Sequence, residues 1–397
     1  MKHACARAVS LAATAALLLL PVAAAGAATS APPGPLPPGG QSNAAKAAAS
    51  FTSMQTYLLV PDGSGLYHEQ YPVTGGNPYS YEWPFSQAHI AIADLANLPG
   101  TLGRQYDASL DVADAAQEHY WKAGGGSTGL PGYASYPVGA YGSGGDFFYD
   151  DNEWVGLLDV QRYLTDGDPA ALDRAKQIFD LVVSGWDSDP SHAKPGGVFW
   201  TQAPWSADRN TVSNMPGAEL GLRLFQITGE QSYLDWSLRM YNWTNMYLQR
   251  PDGLYYDHVN LQGTVESTIW SYNQGLPIGV NVLLYEVTKD RQYLDEANRI
   301  AAAAYQYYVS EGRLAAQPVY FNSIFFKNLL LLESVTGGSK YRNAMQDYAD
   351  QVWTNNRDAT TGLFTFGNGH TELLEQAAMV QIYAVLGWSP SQWRDLY

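Results

Sequence analysis

Two kinds of segment alternate along residues 44–397, and this alternation restricts the fold more than any other feature. One kind is amphipathic: Tyr293, Leu294, Ala297, Ile300, Ala301, Ala304, Tyr305 and Tyr308 recur at helical spacing, with Asp295, Glu296 and Arg299 opposite. The other is apolar nearly all round, as in 324–332 and 280–285, and a helix without a polar face is buried on every side. Amphipathic stretches fall near 44–59, 104–122, 169–185, 231–248, 291–309 and 340–355. Apolar ones fall near 87–98, 152–164, 214–227, 274–287, 322–335 and 373–386. The chain therefore reads as six pairs of an inner and an outer helix.

Connections differ by direction. From apolar to amphipathic they are tight turns: Leu164-Thr165-Asp166-Gly167-Asp168, Ile227-Thr228-Gly229-Glu230, Val287-Thr288-Lys289-Asp290 and Val335-Thr336-Gly337-Gly338. The returns are long, carry Tyr, Trp, His and Asn, and share a tag: Gly65-Leu66-Tyr67, Gly129-Leu130, Gly197-Val198-Phe199-Trp200, Gly253-Leu254-Tyr255-Tyr256, Gly312-Arg313-Leu314 and Gly362-Leu363-Phe364. A closed all-α ring of six hairpins, with the long loops at one end, accounts for this asymmetry. An open solenoid is the alternative; six wholly apolar inner helices favour closure. Function is expected at the long-loop face.

The N-terminus reads as a secretory signal over 1–28: Lys2, His3 and Arg7 precede an apolar run from Val9 to Val22 and Ala-rich cleavage options at 25–28. Residues 29–43 read as a Pro/Gly linker, and 44–397 as a single domain. Export to the extracellular space is the expected localisation, with no membrane attachment after cleavage. Cys5, the only cysteine, lies in the leader, so disulfide and thiol chemistry are not expected. With 15% charged residues, 13% aromatic and a net charge of −16, the chain repels nucleic acid and suits a neutral polymer with apolar faces, such as a sugar.

Against that background Asp150-Asp151 stands out, at the end of a long return loop and the first turn of the second inner helix. Adjacent carboxylates repel, and two side chains leaving a helix start can face one space a few ångströms apart. A retaining glycosidase needs such a pair, one carboxylate attacking the anomeric carbon and the other handling the proton. Spacing alone leaves helix capping equally open. Other inner-helix starts carry Trp83, Gln87 and His89; Asn214; Tyr272, Asn273 and Gln274; Asn322; and His370, Glu372 and Gln376. These suit either hydroxyl recognition or capping. Trp200, Trp205, Tyr255 and Tyr256 read equally as sugar platforms or as rim packing, and His68, His192 and His258 as solvated loop residues. The glycine cluster 124–129 fits two nucleotide- and esterase-type patterns, but it follows a helix rather than a strand, so both are discarded. No metal-ligand set is present, and the nine glycines from 124 to 145 suggest a mobile loop.

Tyr149-Asp150-Asp151-Asn152-Glu153-Trp154, Asn210-Thr211-Val212-Ser213-Asn214, Tyr272-Asn273-Gln274-Gly275 and Glu375-Gln376-Ala377-Ala378 together resemble glycoside hydrolase family 76, the endo-acting α-1,6-mannanases. The resemblance implies an (α/α)6 barrel, retention of configuration and no cofactor. It makes Asp150 the nucleophile and Asp151 the general acid/base. Sugar-binding candidates are Trp83, His89, Tyr149, Asn152, Trp154, Trp200, Asn214, Tyr272, Asn273 and Gln274. The implied partner is an α-mannan polysaccharide or oligosaccharide, acted on by a monomer. A cell-wall transglycosidase shares the first chemical step, a non-catalytic glycan-binding protein is the alternative from another class, and a lyase would want basic residues that this acidic chain lacks.

Overall fold

The computed structural model describes residues 41–367 and 369–396. The expected signal segment 1–28 and the linker up to residue 40 lie outside the described residues. The first helix begins inside the expected linker, at Asn43, because the Ser42 hydroxyl accepts from the Ala45 N–H and caps it.

The described residues form thirteen α-helices: α1 (Asn43–Tyr57), α2 (Glu82–Ala96), α3 (Thr101–Arg104), α4 (Asp107–Gln117), α5 (Tyr149–Asp166), α6 (Pro169–Ser184), α7 (Thr211–Thr228), α8 (Gln231–Leu248), α9 (Tyr272–Thr288), α10 (Arg291–Ala304), α11 (Val319–Thr336), α12 (Lys340–Asn355) and α13 (Leu373–Leu386). The inner set α2, α5, α7, α9, α11 and α13 packs each against the next, and α13 against α2, so the ring is closed. Each inner helix carries the outer helix that follows it, while α13 is covered by α1 from the other end of the chain. The fold is the all-α toroid expected.

Two expected helices are interrupted. The stretch 104–122 divides into α3, α4, a 3-10 turn and strand β2, and α10 ends in a π-helical turn, Tyr305–Ser310. Inner helices start up to five residues earlier than their apolar runs, since the polar residues of the first turns are helical too.

Short strands decorate only the return loops: β1 (Gln70–Tyr71), β2 (Trp121–Lys122), β3 (Gly132–Tyr133), β4 (Asp208–Asn210), β5 (His258–Asn260), β6 (Val265–Glu266) and β7 (Thr371–Glu372). They pair antiparallel as β1–β7, β2–β3 and β4–β5–β6.

The recurrent tag has one physical cause. All six tag glycines (65, 129, 197, 253, 312 and 362) have φ between 70° and 97°, where a Cβ is strained. In four returns the turn brings a following residue back beside the start of its own loop, giving the bridges Leu59–Tyr67, Trp186–Val198, Gln249–Tyr255 and Arg357–Phe364; Trp121–Tyr133 in β2–β3 is their counterpart. An amide on the next inner helix then grips the returned residue. Asn152 accepts from the Tyr133 N–H (2.7 Å) and donates to its carbonyl (3.0 Å). Asn214 does so with Val198 (2.8 and 3.2 Å) and Gln274 with Tyr255 (2.7 and 3.0 Å). Gln376 accepts from Phe364, and Asn322 donates to Leu314. Asn214→Leu leaves the Val198 N–H without its partner in a buried setting. A loss of about 2–4 kcal/mol by urea denaturation is expected, with the pH dependence of any activity unchanged.

The inner helices are not wholly apolar inside the ring. Asp94 on α2 and Lys327 on α11, both with no exposure, form a salt bridge of 2.8 Å across the barrel. No helix among the described residues is long and apolar enough to cross a membrane.

Candidate active site

The N-terminal turn of α5 places Tyr149, Asp150 and Asp151 in sequence, and Phe148 as N-cap contributes no side-chain hydrogen bond. The helix N-terminus favours the negative charge of the two carboxylates there. The 147–149 segment runs antiparallel to 200–202: Phe148 bridges Thr201, and the Tyr149 N–H donates to the Trp200 carbonyl (2.9 Å). That pairing delivers the Trp200 indole N–H to Asp150 Oδ2 at 3.1 Å, while Asp150 Oδ1 accepts the Asp151 N–H at 3.1 Å.

The two carboxyls are electrostatically unequal. Burial pushes Asp150 up to about 7, opposed by its Trp200 and Asp151 donors, and Asp208 adds a like charge. Asp151 is raised well above its ordinary range, by burial first and then by Asp150 and Glu82. Asp150 thus has donors that stabilise its ionised form, whereas like charges disfavour ionisation of Asp151. Of the two, Asp150 is the readier to ionise and Asp151 the readier to keep a proton.

Further groups gather around the pair. The β4–β5 register sets Asn210 opposite His258 and puts Asp257 next to the site. Asp257 Oδ1 accepts from Asn273 Nδ2 (3.0 Å), and its Oδ2 pairs with His258 Nδ1 (2.9 Å), which raises the imidazole pKa. Tyr272 is raised well above the usual phenol range by burial, then by the charges of Asp257 and Asp150. Its ring stacks on Phe321 (3.8 Å, 4°). Phe321 also faces Trp83 (6.2 Å, 28°), and Tyr320 meets Trp83 edge-on (5.4 Å). The Trp83 indole N–H is buried with no protein partner, a donor available to a ligand. Trp205, 58% exposed, stands 6.0 Å from Trp200 and extends the aromatic rim.

Of the sugar-binding candidates, Trp83, Trp200, Tyr272 and Asn273 lie among these groups. The others do not. Asn152, Asn214 and Gln274 spend their amides on the loop clamps described above, because a buried amide that satisfies a backbone N–H and C=O has no capacity left for a ligand. His89 faces outward between α2 and α4, with Nε2 2.9 Å from Asp114 and Nδ1 3.3 Å from Gln117. Tyr149 packs its ring over Gly185, where a Cβ would lie 2.4 Å from Tyr149 Cζ. Trp154 is 1% exposed, in the core one turn below the pair. Tyr255 is likewise buried, closing the rim rather than offering a platform. His192 and His258, expected in solvent, pair with Asp187 and Asp257.

Glu82, Asp208, Asp257, Tyr320 and Phe321 escaped sequence reasoning. Glu82 and Phe321 each adjoin a residue that was singled out, Trp83 and Asn322, but no local pattern distinguishes them. Asp257 directly follows the Gly253 tag, and the β4–β5 pairing sets it at the start of α7, where its carbonyl accepts the Thr211 N–H. A groove of ≈ 330 Å³ beside Tyr305 and Gln351 contains no carboxylate pair and is separate from this site. The glycine-rich loop is tied down at several points, including Ala134 N–H to Tyr120, Ser135 N–H to Asp146 and Val138 N–H to His119.

The profile of the family described as Glycosyl hydrolase family 76 matches residues 42–382. Among curated proteins, a mannan endo-1,6-alpha-mannosidase of Candida glabrata is 27% identical over 190 residues, 46% of this chain and 38% of that protein. One of Saccharomyces cerevisiae is 32% identical over 132 residues, 31% of this chain and 29% of that protein. The aligned segments therefore span only 29–38% of the length of those relatives. A family 76 mannosidase structure from Bacteroides thetaiotaomicron superposes with a TM-score of 0.76 at 26% identity, covering 87% of this chain and 98% of that one. An α-1,6-mannanase of Salegentibacter sp. HEL1_6 shares the fold, with a TM-score of 0.68 at 18% identity over 87% of this chain and 99% of that one. The profile match takes in the Asp pair, the aromatic wall and eleven of the twelve barrel helices in full, and by it this chain belongs to glycosyl hydrolase family 76.

Proposed function

We infer that the protein is an exported, retaining endo-α-1,6-mannanase that works by double displacement, with Asp150 as nucleophile and Asp151 as general acid/base. The observation that carries this reading is the inequality of the pair: Asp150 is held by an indole and a backbone N–H, while the like charges of Asp150 and Glu82 disfavour ionisation of Asp151. In the first step Asp150 attacks C1 of a mannosyl unit as the C1–O bond breaks, and the Asp151 proton passes to the departing O6. The resulting mannosyl ester is opened by water, which gives its proton to Asp151 and returns Asp150 as a carboxylate. Trp83, Trp200, Trp205 and Tyr272 offer ring faces to successive sugars, and Asn273, with Asp257 and His258, offers hydroxyl partners.

The curated relatives support the bond type through their names, and the Salegentibacter enzyme was captured with α-1,6-mannotriose as an inactive variant in which two consecutive aspartates are replaced by asparagine. Asp150-Asp151 is the only consecutive Asp pair in this sequence. Export rests on the N-terminal leader.

The deciding experiment is a time-resolved product profile from linear α-1,6-mannan with anomer detection by NMR. Internal cutting with the α-anomer released first is the expected result. Early β-anomer contradicts retention, products longer than the substrate mark a transglycosidase, and an unchanged polymer marks a binding protein. Trp200→Phe removes one donor to the Asp150 carboxylate, so the Asp150 pKa rises. The acid limb of kcat/KM is expected to move up by about half to one pH unit.

A further inference from the structure

A third carboxyl belongs to this centre and has no place in the two-carboxylate mechanism. Glu82 opens α2, the inner helix adjacent to α5, and has no exposure. Its Oε1 accepts from Gln117 Nε2 at 2.9 Å, and its Oε2 is buried without a protein partner. Its charge acts on Asp151 together with that of Asp150; Glu153, buried on α5 itself, also interacts with Asp150 and Asp151, and burial first and then their charges raise it well above its ordinary range. Tyr120 and Tyr133, on the loop side, also feel the Glu82 charge.

The anchor behind Glu82 is continuous. Gln117 Oε1 meets His89 Nδ1 at 3.3 Å, and His89 Nε2 meets Asp114 Oδ1 at 2.9 Å. Arg162 Nη1 donates to the same Asp114 oxygen and its Nε to Asp166 (3.0 Å). Arg162 is on α5, so the chain leaves the site along α2 and α4 and returns to the helix that carries the Asp pair. With Asp114 accepting at Oδ1, His89 Nε2 is a donor.

We propose that Glu82 is a positioning residue for the acid/base step: a third carboxyl, fixed from the barrel wall through Gln117, His89, Asp114 and Arg162, whose charge keeps the proton on Asp151. This rests on the assignment of Asp151 as general acid/base. Asp151 must hold a proton when substrate arrives and surrender it to O6, and a neighbouring negative charge delays its ionisation as pH rises. Burial places Glu82 itself at about 8, opposed by the Gln117 donor, with Asp150 adding a like charge, so its ionisation falls in the range where Asp151 must stay protonated.

Glu82→Gln keeps the shape and removes the charge. The alkaline limb of kcat/KM on linear α-1,6-mannan is expected to move to lower pH by about half a unit or more. Gln117→Met withdraws the donor that helps Glu82 ionise, and a smaller shift in the same direction is expected. A residue of purely structural importance would lower activity at every pH with both limbs fixed, and that result in folded Glu82→Gln overturns the proposal. Carbon-13 carboxyl titration of the free protein supplies a readout independent of turnover, with Asp151→Asn identifying the Asp151 signal. Should wild type leave mannan uncut, the glycosidase reading fails on its own account. An Asp151 titration unmoved by Glu82→Gln overturns the Glu82 proposal in either case.

Discussion

Asp150→Asn and Asp151→Asn are each expected to abolish hydrolysis of linear α-1,6-mannan while binding of the polymer persists. For Asp151→Asn the loss is that of a positioned proton donor and acceptor, about 10²–10⁴-fold in kcat. For Asp150→Asn the covalent step itself is removed, so the loss is at least as large. Asparagine preserves the shape at both positions, and at 150 its carbonyl oxygen still accepts the Trp200 indole N–H or the Asp151 N–H. Loss of activity with an unchanged melting temperature therefore reports chemistry and not unfolding. A small nucleophilic anion such as azide, which needs no general base, is expected to restore turnover of a substrate with a good leaving group in Asp151→Asn. Unchanged activity in both variants would refute the assignment.

Lys327→Met is expected to be the most destabilising single change in the barrel. Its ammonium and the Asp94 carboxylate are both fully buried, and burial pushes the lysine down and the aspartate up, each held back by the other. Removing the lysine leaves the Asp94 charge buried, with a 3.4 Å contact from Gln161 as its remaining side-chain donor among the described residues, at a cost of about 3–5 kcal/mol. Adding Asp94→Asn removes that charge, since a neutral amide can still accept from Gln161. Recovery of about half the loss or more in urea denaturation is expected. A double variant no more stable than Lys327→Met would mean that packing around the lysine stem, not its charge, holds α2 to α11.

The architecture was legible because its signals are local and repeated. Periodicity of 3.6 residues and the absence of a polar face identify outer and inner helices, and the glycine tags mark returns where only a positive φ fits. The breaks at α3–α4 and in the π turn after α10 were not legible, since Leu110, Ala113, Tyr305 and Tyr308 keep an apolar stripe through either helical geometry. The polar residues at inner-helix starts were visible as a class but not as roles. Asn152, Asn214 and Gln274 look like sugar ligands until the returned loop residue is seen beside each of them, whereas Trp83 and Asn273 keep a buried polar atom unpartnered.

What the sequence by itself determined was the ring of hairpins, the end at which the loops gather, and the Asp150-Asp151 pair at the start of an inner helix. Each follows from residues within a turn or two of one another. Tertiary structure alone decided which neighbours the pair has. The Trp200 donor is fifty positions away, Glu82 lies on the preceding inner helix, and Asp257 arrives by strand pairing. Those contacts set the different electrostatic environments of two chemically identical side chains. Desolvation and the placement of charges and donors act through space, and a sequence records order along the chain rather than distance across the barrel.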